Sequence, residues 1–423
     1  MSIDASFAPD KSDDDAGIDN RYGYVIVSSA FMLMCVMWTA FYSFGIFFKP
    51  VLAEFGWTRA ATAGAFSLCS FIQGLLAIAM GGLTDRFGPR VVMTICGLFL
   101  AAGYLLMSQL NSLLQLYIFF SVILGIGMGG SFAPLLTLTA RWYIKRRGLM
   151  TGLVVSGTGV GALVGPPVAG ILISHYGWRT SYTTIGVIVL VMTVFLAQLL
   201  KSAPGQMRRG AHAKEGPEKE QAIHLEGVAF HDAINSWKFW RVFSMVFCLG
   251  FSIFAIMVHI APHVTDLGFT QATAANIMAA IGAVCIAGRV VFGRVLDRIG
   301  SRRGFAIGFC ILGISFFLVA FASALSMLYL FALLFGFAFG ACVTCESPLV
   351  ADLFGLRSHG LLLGIVACGF TFGGGVGPFV TGFMFDLVGK YQAAFLLCGF
   401  VSCAGLLLAQ TLEGPVPLRD RSR

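Results

Sequence analysis

Apolar residues along this chain come in runs of about twenty, and the runs are separated by short polar stretches. Twelve such runs can be marked: Tyr22–Phe48, Ala60–Leu83, Val91–Gln109, Leu114–Ala140, Leu149–Ile173, Thr180–Leu200, Phe239–Val264, Ala272–Gly293, Phe305–Ala324, Leu325–Asp352, Leu361–Phe385 and Gln392–Leu412. A helix of about 20 residues crosses the roughly 30 Å of hydrocarbon in a bilayer, so the pattern predicts an all-α membrane protein with twelve transmembrane helices. Polar faces for a soluble fold are missing. Composition agrees: 57% of the residues are apolar and 11% charged, against roughly 45–50% and about 25% in soluble domains.

The runs fall into two sets of six, because the chain repeats. Gly81-Gly82-Leu83-Thr84-Asp85-Arg86-Phe87-Gly88-Pro89-Arg90 returns as Gly293-Arg294-Val295-Leu296-Asp297-Arg298-Ile299-Gly300-Ser301-Arg302, with the aspartates 212 residues apart (297 − 85). The same offset carries Pro50 to Pro262, Gly56 to Gly268, Thr58 to Thr270, Gly161 to Gly373, Gly165-Pro166 to Gly377-Pro378, and Gly177 to Gly389. Glycine and proline set backbone geometry, so their shared spacing predicts one backbone built twice. The division is an N-terminal tail 1–21, a six-helix half 22–200, a linker 201–237, a second half 238–412 and a tail 413–423.

Charge orients this bundle. Arg86, Arg90, Arg141, Lys145, Arg146, Arg147, Arg294, Arg298, Arg302, Arg303 and Arg357 flank one set of loops, whereas the other set holds Lys49, Arg59, Arg179 and Lys390. The positive-inside rule places the richer loops and both termini in the cytoplasm. This accounts for the net charge of +8 without nucleic acid. The acidic first twenty residues do not read as a signal peptide and are expected to be a disordered tail. Part of 222–236 is expected to form a short surface helix, with Trp237 and Trp240 at the membrane interface. All eleven cysteines fall in predicted spans, so disulfides are not expected, and the lone C-x-x-C of Cys342 and Cys345 is too little for a metal or redox site. No phosphate-binding loop, nucleophile cluster or metal set is visible, so the reading is neither an enzyme nor an ATP-driven pump, and no cofactor is expected.

The segment Gly81–Arg90 resembles the G-x-x-x-D-R-x-G-x-[RK] signature between the second and third spans of the major facilitator superfamily, and Gly293–Arg303 resembles its echo between the eighth and ninth. The resemblance covers nearly the whole chain and implies two six-helix halves rocking about a midplane site. It also implies a conformational gate of Asp85, Arg86 and Arg141, in which Asp85 pairs with Arg141, and a second gate of Asp297 and Arg298. Arg141 moved by 212 lands on Leu353, which leaves Arg357 as the candidate partner of Asp297.

Charges within spans cost roughly 2.5–3.5 kcal/mol each on insertion scales and usually serve function. Arg289 in the eighth span is the candidate substrate anchor: a guanidinium fork matches a carboxylate. Glu346 in the tenth span is its candidate structural partner, and Glu346 and His259 are candidate proton carriers, with His263 a lesser one. Asp352 and Asp386 sit near span ends. Trp38 and Tyr42 are candidate cavity residues. The stretches Arg141–Leu149, Trp237–Trp240 and His259–Gly268, with Arg289, resemble the monocarboxylate porter and oxalate/formate antiporter branches. Two departures stand out. Animal monocarboxylate porters have a lysine where this chain has Tyr42 and an aspartate where it has Cys285. The oxalate exchangers have a basic residue in the eleventh span, where this chain has none. One intramembrane cation favours a monoanion over a dianion. The expectation is a monomeric transporter of small organic anions, coupled to protons, in a bacterial inner membrane. The alternatives are an anion exchanger or an efflux antiporter, the latter because Gly161-x-x-x-Gly165-Pro166 resembles an antiporter motif.

Overall fold

A computed structural model of the chain describes residues 21–143, 147–201, 228–355 and 358–412. The predicted tail beyond Arg21, most of the linker and the last eleven residues lie outside these ranges, and Arg21 itself already belongs to the first helix. The first three spans are the helices Arg21–Phe55, Arg59–Phe87 and Pro89–Met107. The fifth and sixth form a single helical run, Arg147–Leu199, broken at Gly177 where φ is 75° and ψ 165°. Fifty residues of it are apolar enough to span, and at 1.5 Å per residue this is about twice the bilayer core, so the run crosses twice. The seventh to twelfth spans are Trp237–Asp266, Gln271–Ile299, Ser301–Ala320, Leu325–Phe354, His359–Val388 and Gln392–Thr411.

The fourth span departs from the expected single helix. It opens as Leu113–Leu116, continues as a π-helix over Tyr117–Leu124, resumes as Gly125–Gly129, and restarts at Ala133–Trp142 with Pro134 in the first turn. Proline lacks the amide needed to continue the hydrogen-bond ladder, which is why the restart falls there. Of the linker, a short helix is described, Phe230–Ile234. Trp240 donates its indole N–H to the Ile234 carbonyl (2.9 Å), and Trp237 is 71% exposed.

The 212-residue repeat is a repeat of backbone conformation. Gly56 and Gly268, Gly88 and Gly300, and Gly177 and Gly389 all have positive φ. Thr58 and Thr270 cap the second and eighth spans with the same dihedrals, −71°, 155° and −70°, 157°. Packing repeats too. A methyl on Gly157 would meet the Phe31 carbonyl and one on Gly369 the Phe243 carbonyl, 212 residues on; Gly165 against Thr39 recurs as Gly377 against Phe251. Close backbone approach thus welds the first span to the fifth and the seventh to the eleventh.

The two halves meet along three seams. Gly45 of the first span lies against the Met257 carbonyl of the seventh, its own repeat counterpart, which places the pseudo-twofold axis at this crossing. Gly159 and Gly282 join the fifth and eighth spans; Gly74, Gly375 and Gly382 join the second and eleventh. At the end carrying the two signature segments the seams part. A methyl on Gly81, Gly82, Gly152, Gly293, Gly360 or Gly364 would meet nothing within 4 Å. The bundle is therefore closed at one end, hereafter the latch end, and splayed at the other, the motif end.

Candidate functional site

Arg289 sits where the halves meet at mid-bundle. Its Nη1 donates to the Val155 carbonyl of the fifth span at 2.8 Å. Cys285, one turn earlier, and Tyr42 of the first span lie within electrostatic reach of the guanidinium. Phe339 of the tenth span lies 6.0 Å from its Cζ. Helical side chains lean toward their own N-terminus, and this brings the arginine of the eighth span back over Cys285. Its Nε is buried without a hydrogen-bond partner. Trp38 and Tyr42, both almost fully buried, pack with their rings tilted by 41° at 5.2 Å between centroids, and the Trp38 indole nitrogen is likewise buried without a partner. Each half thus carries one unanswered donor in a mostly apolar surround.

Glu346 does not pair with Arg289, as the structural alternative to substrate binding would require: no carboxylate among the described side chains lies within 4.0 Å of the guanidinium. The reason is register. Gly340 of the tenth span packs on the backbone of Cys285 and Arg289, so Glu346, six residues further along, lies about 9 Å nearer the motif end. Its Oε1 is buried with no hydrogen-bond partner.

His259 is not at this site at all. It is fully buried toward the latch end, with Nε2 donating to the Pro378 carbonyl (2.8 Å) and Nδ1 at 3.0 Å from the Tyr391 hydroxyl. A carbonyl only accepts, so in a neutral ring Nδ1 accepts from Tyr391. His263 packs edge-on against Tyr391 and Phe395, and its Nε2 has no partner.

Of the predicted gates, Arg86 and Arg298 are exposed at the motif end, with Arg86 against the Phe87 ring (5.2 Å). Arg141 closes the fourth span and is engaged with the protein. The side chains of Asp85 and Asp297, and all of Arg357, lie outside what is described. Asp386 and Asp352 sit at helix ends: Asp386 accepts from the Arg59 and Ala60 amides, and Asp352 from the Ser301 hydroxyl. Sequence reading missed Val155, whose contribution is a main-chain carbonyl, and it counted Arg59 only as a loop charge.

Comparison with known proteins supplies the frame. The chain is 26% identical over 389 residues to monocarboxylate transporter 13 of Bos taurus, covering 92% of this chain and 88% of that protein. It is 25% identical over 441 residues to human monocarboxylate transporter 12, with 96% and 82% covered, and 26% identical over 403 residues to monocarboxylate transporter 4 of Gallus gallus, with 92% and 83% covered. Crystal structures of a bacterial homolog of the human lysosomal transporter Spinster superpose in its inward-facing unoccupied state with a TM-score of 0.75 at 14% identity, covering 93% of this chain and 98% of that one. The inward-facing occupied state gives 0.71 at 15% identity, with 93% and 95% covered. The profile of the Major Facilitator Superfamily matches residues 30–298 and 242–423. With its two six-span repeats and its paired signature segments, the chain belongs to the major facilitator superfamily.

Proposed function

We propose that this protein is a secondary transporter of small monocarboxylates, in which Arg289 binds the substrate carboxylate and residues 22–200 and 238–412 rock about it. One observation carries the reading: the half-buried Arg289 at the seam between the halves has no carboxylate partner among the described residues and keeps its Nε unsatisfied. An intramembrane cation needs an anion to offset its desolvation. A single carboxylate, taken in place of the Val155 carbonyl, meets that need while the walls of Trp38, Tyr42 and Phe339 accept a small apolar remainder. The names of the relatives support the same substrate class.

Loop charge orients the motif end to the cytoplasm, so the splayed end faces inward. Proton coupling belongs to the reading, and Glu346 is its best-placed carrier: it lies between Arg289 and the splayed end and has no fixed partner. His259 is the second candidate, on the opposite side of the substrate site. The lysine and aspartate of animal monocarboxylate porters are Tyr42 and Cys285 here, so protons must take another route. The test is uptake of labelled lactate, pyruvate and a panel of larger acids into proteoliposomes, with and without an imposed pH gradient. Uptake driven by an inward proton gradient and lost in Arg289→Ala supports symport. Dependence on internal anion alone replaces symport by exchange. No uptake of any acid, with binding of cationic drugs, replaces the reading by efflux.

A further inference from the structure

At the latch end, one residue of the first half is held by three elements of the second. Arg59 opens the second span. Its Nη2 pairs with Asp266 at the end of the seventh span (2.7 Å), its Nη1 donates to the Tyr391 hydroxyl ahead of the twelfth (2.5 Å), and its Cζ lies 3.7 Å from the Phe385 ring of the eleventh. The main chain joins in. Arg59 N and Ala60 N donate to the two oxygens of Asp386 at 2.9 and 2.7 Å, while Thr58 Oγ1 takes the Ala61 amide. Free amides at a helix start need acceptors and favour negative charge. Here two of them find it in a carboxylate from the other half.

The arginine side chain is 11% exposed, whereas Lys49, which also reaches Asp266 (3.1 Å), is 43% exposed. Exposed pairs contribute little; a desolvated, two-partner guanidinium is sensitive to losing either partner. Behind it, Tyr391 is braced by His259, which is anchored in turn on Pro378. Phe48 of the first span covers the imidazole at 5.3 Å.

The repeat shows that this arrangement is particular to one half. Glu54 and Arg179, which pair with each other inside the first half, map by 212 onto Asp266 and Tyr391. The second half has a tyrosine where the first has an arginine. Asp266 is thereby left without an internal cation, and it takes Arg59 and Lys49 from across the seam. The counterpart of Arg59 is Gln271, which also crosses the seam, donating to the Ile46 carbonyl (3.3 Å), but without charge.

We propose that Arg59 is the latch that holds the halves shut at this end, and that its release from Asp266, Tyr391 and Asp386 is the step that opens it. It is a positioning residue for the transport cycle and touches no substrate. The experiment measures the opening directly, with no substrate present, so it stands apart from the transport assay. Spin labels carried on an unnatural amino acid at positions 111 and 323, exposed loop residues of the two halves at this end, report their separation in the full chain in nanodiscs by pulsed electron resonance. The parent protein is expected to show one dominant short distance. In Arg59→Gln a longer distance takes the larger share; Arg59→Lys, which retains charge but loses the fork, falls between. Arg179→Gln removes the same chemistry from within one half and leaves the distribution as in the parent. If Arg59→Gln does not yield a monodisperse protein, Asp266→Asn cuts the pair from the other side and is expected to give the same shift. A parental distribution in the folded Arg59→Gln or Asp266→Asn protein, or an equal opening in Arg179→Gln, overturns the proposal.

Discussion

Arg289 of the eighth span spends its Nη1 on the Val155 carbonyl of the fifth, 2.8 Å away. A charged donor and a neutral main-chain acceptor make a bond that an incoming carboxylate can exchange for a stronger, charge-assisted one. The contact also bridges the two halves, so a carboxylate bound as proposed would act on the same side chain as half-to-half packing.

Replacing Arg289 tests the anchor. A hydrogen bond to a charged group contributes about 1.5–3 kcal/mol, or roughly 10- to 100-fold in affinity. Arg289→Ala is expected to lower monocarboxylate uptake into proteoliposomes by at least that factor, and Arg289→Lys to recover part of it through one-point contact. Uptake by Arg289→Ala at the parental rate would remove the residue from the mechanism.

Trp38 separates packing from recognition. Trp38→Phe keeps most of the ring and deletes the partnerless indole N–H. If the N–H only packs, thermal stability holds or rises, because an unsatisfied buried donor is removed. The binding role predicts a rise in KM of about 5-fold, equivalent to about 1 kcal/mol, with kcat retained. An unchanged KM returns Trp38 to the core.

Glu346→Gln removes a titratable site without changing shape. Stimulation of uptake by an inward proton gradient is expected to vanish, while exchange of labelled for unlabelled acid across equal pH continues. A variant that still concentrates substrate when external pH is lowered would leave His259 as the carrier, and His259→Gln the variant to measure next.

Glycine substitutions check the seams. Gly165→Ala and Gly377→Ala press a methyl onto the Thr39 and Phe251 carbonyls, and each is expected to destabilise the protein by roughly 1–3 kcal/mol. Gly152→Ala, with nothing within 4 Å, is expected to hold or gain up to about 1 kcal/mol from helix propensity. Thermal unfolding in detergent reads both. Equal losses in all three would contradict the splayed motif end.

Much of the fold was legible in the residue order. Twelve apolar runs, the offset from Asp85 to Asp297, and the glycines and prolines that share it are local or periodic signals, and local physics writes them directly into the chain. The broken fourth span was less legible: Pro134 signals a restart, but a π-turn over Tyr117–Leu124 has no composition of its own. Arg289 stood out because a lone charge in a span is costly wherever it lies. The supposed Arg289–Glu346 pair failed because residue type says nothing of register between two helices; the packing of Gly340 on the backbone of the eighth span decided it.

The sequence by itself determined the number of spans, the doubled backbone and the short list of intramembrane charges, because hydrophobic length, glycine geometry and desolvation cost are properties of the chain. Only the tertiary structure decided which of those charges meet. It put His259 behind Tyr391 instead of beside Arg289, and it turned Arg59 from a loop charge into the tie between halves. Hydrogen bonds reach about 3 Å, and residues separated by 332 positions, as Arg59 and Tyr391 are, come within that reach only after the two repeats have closed on each other.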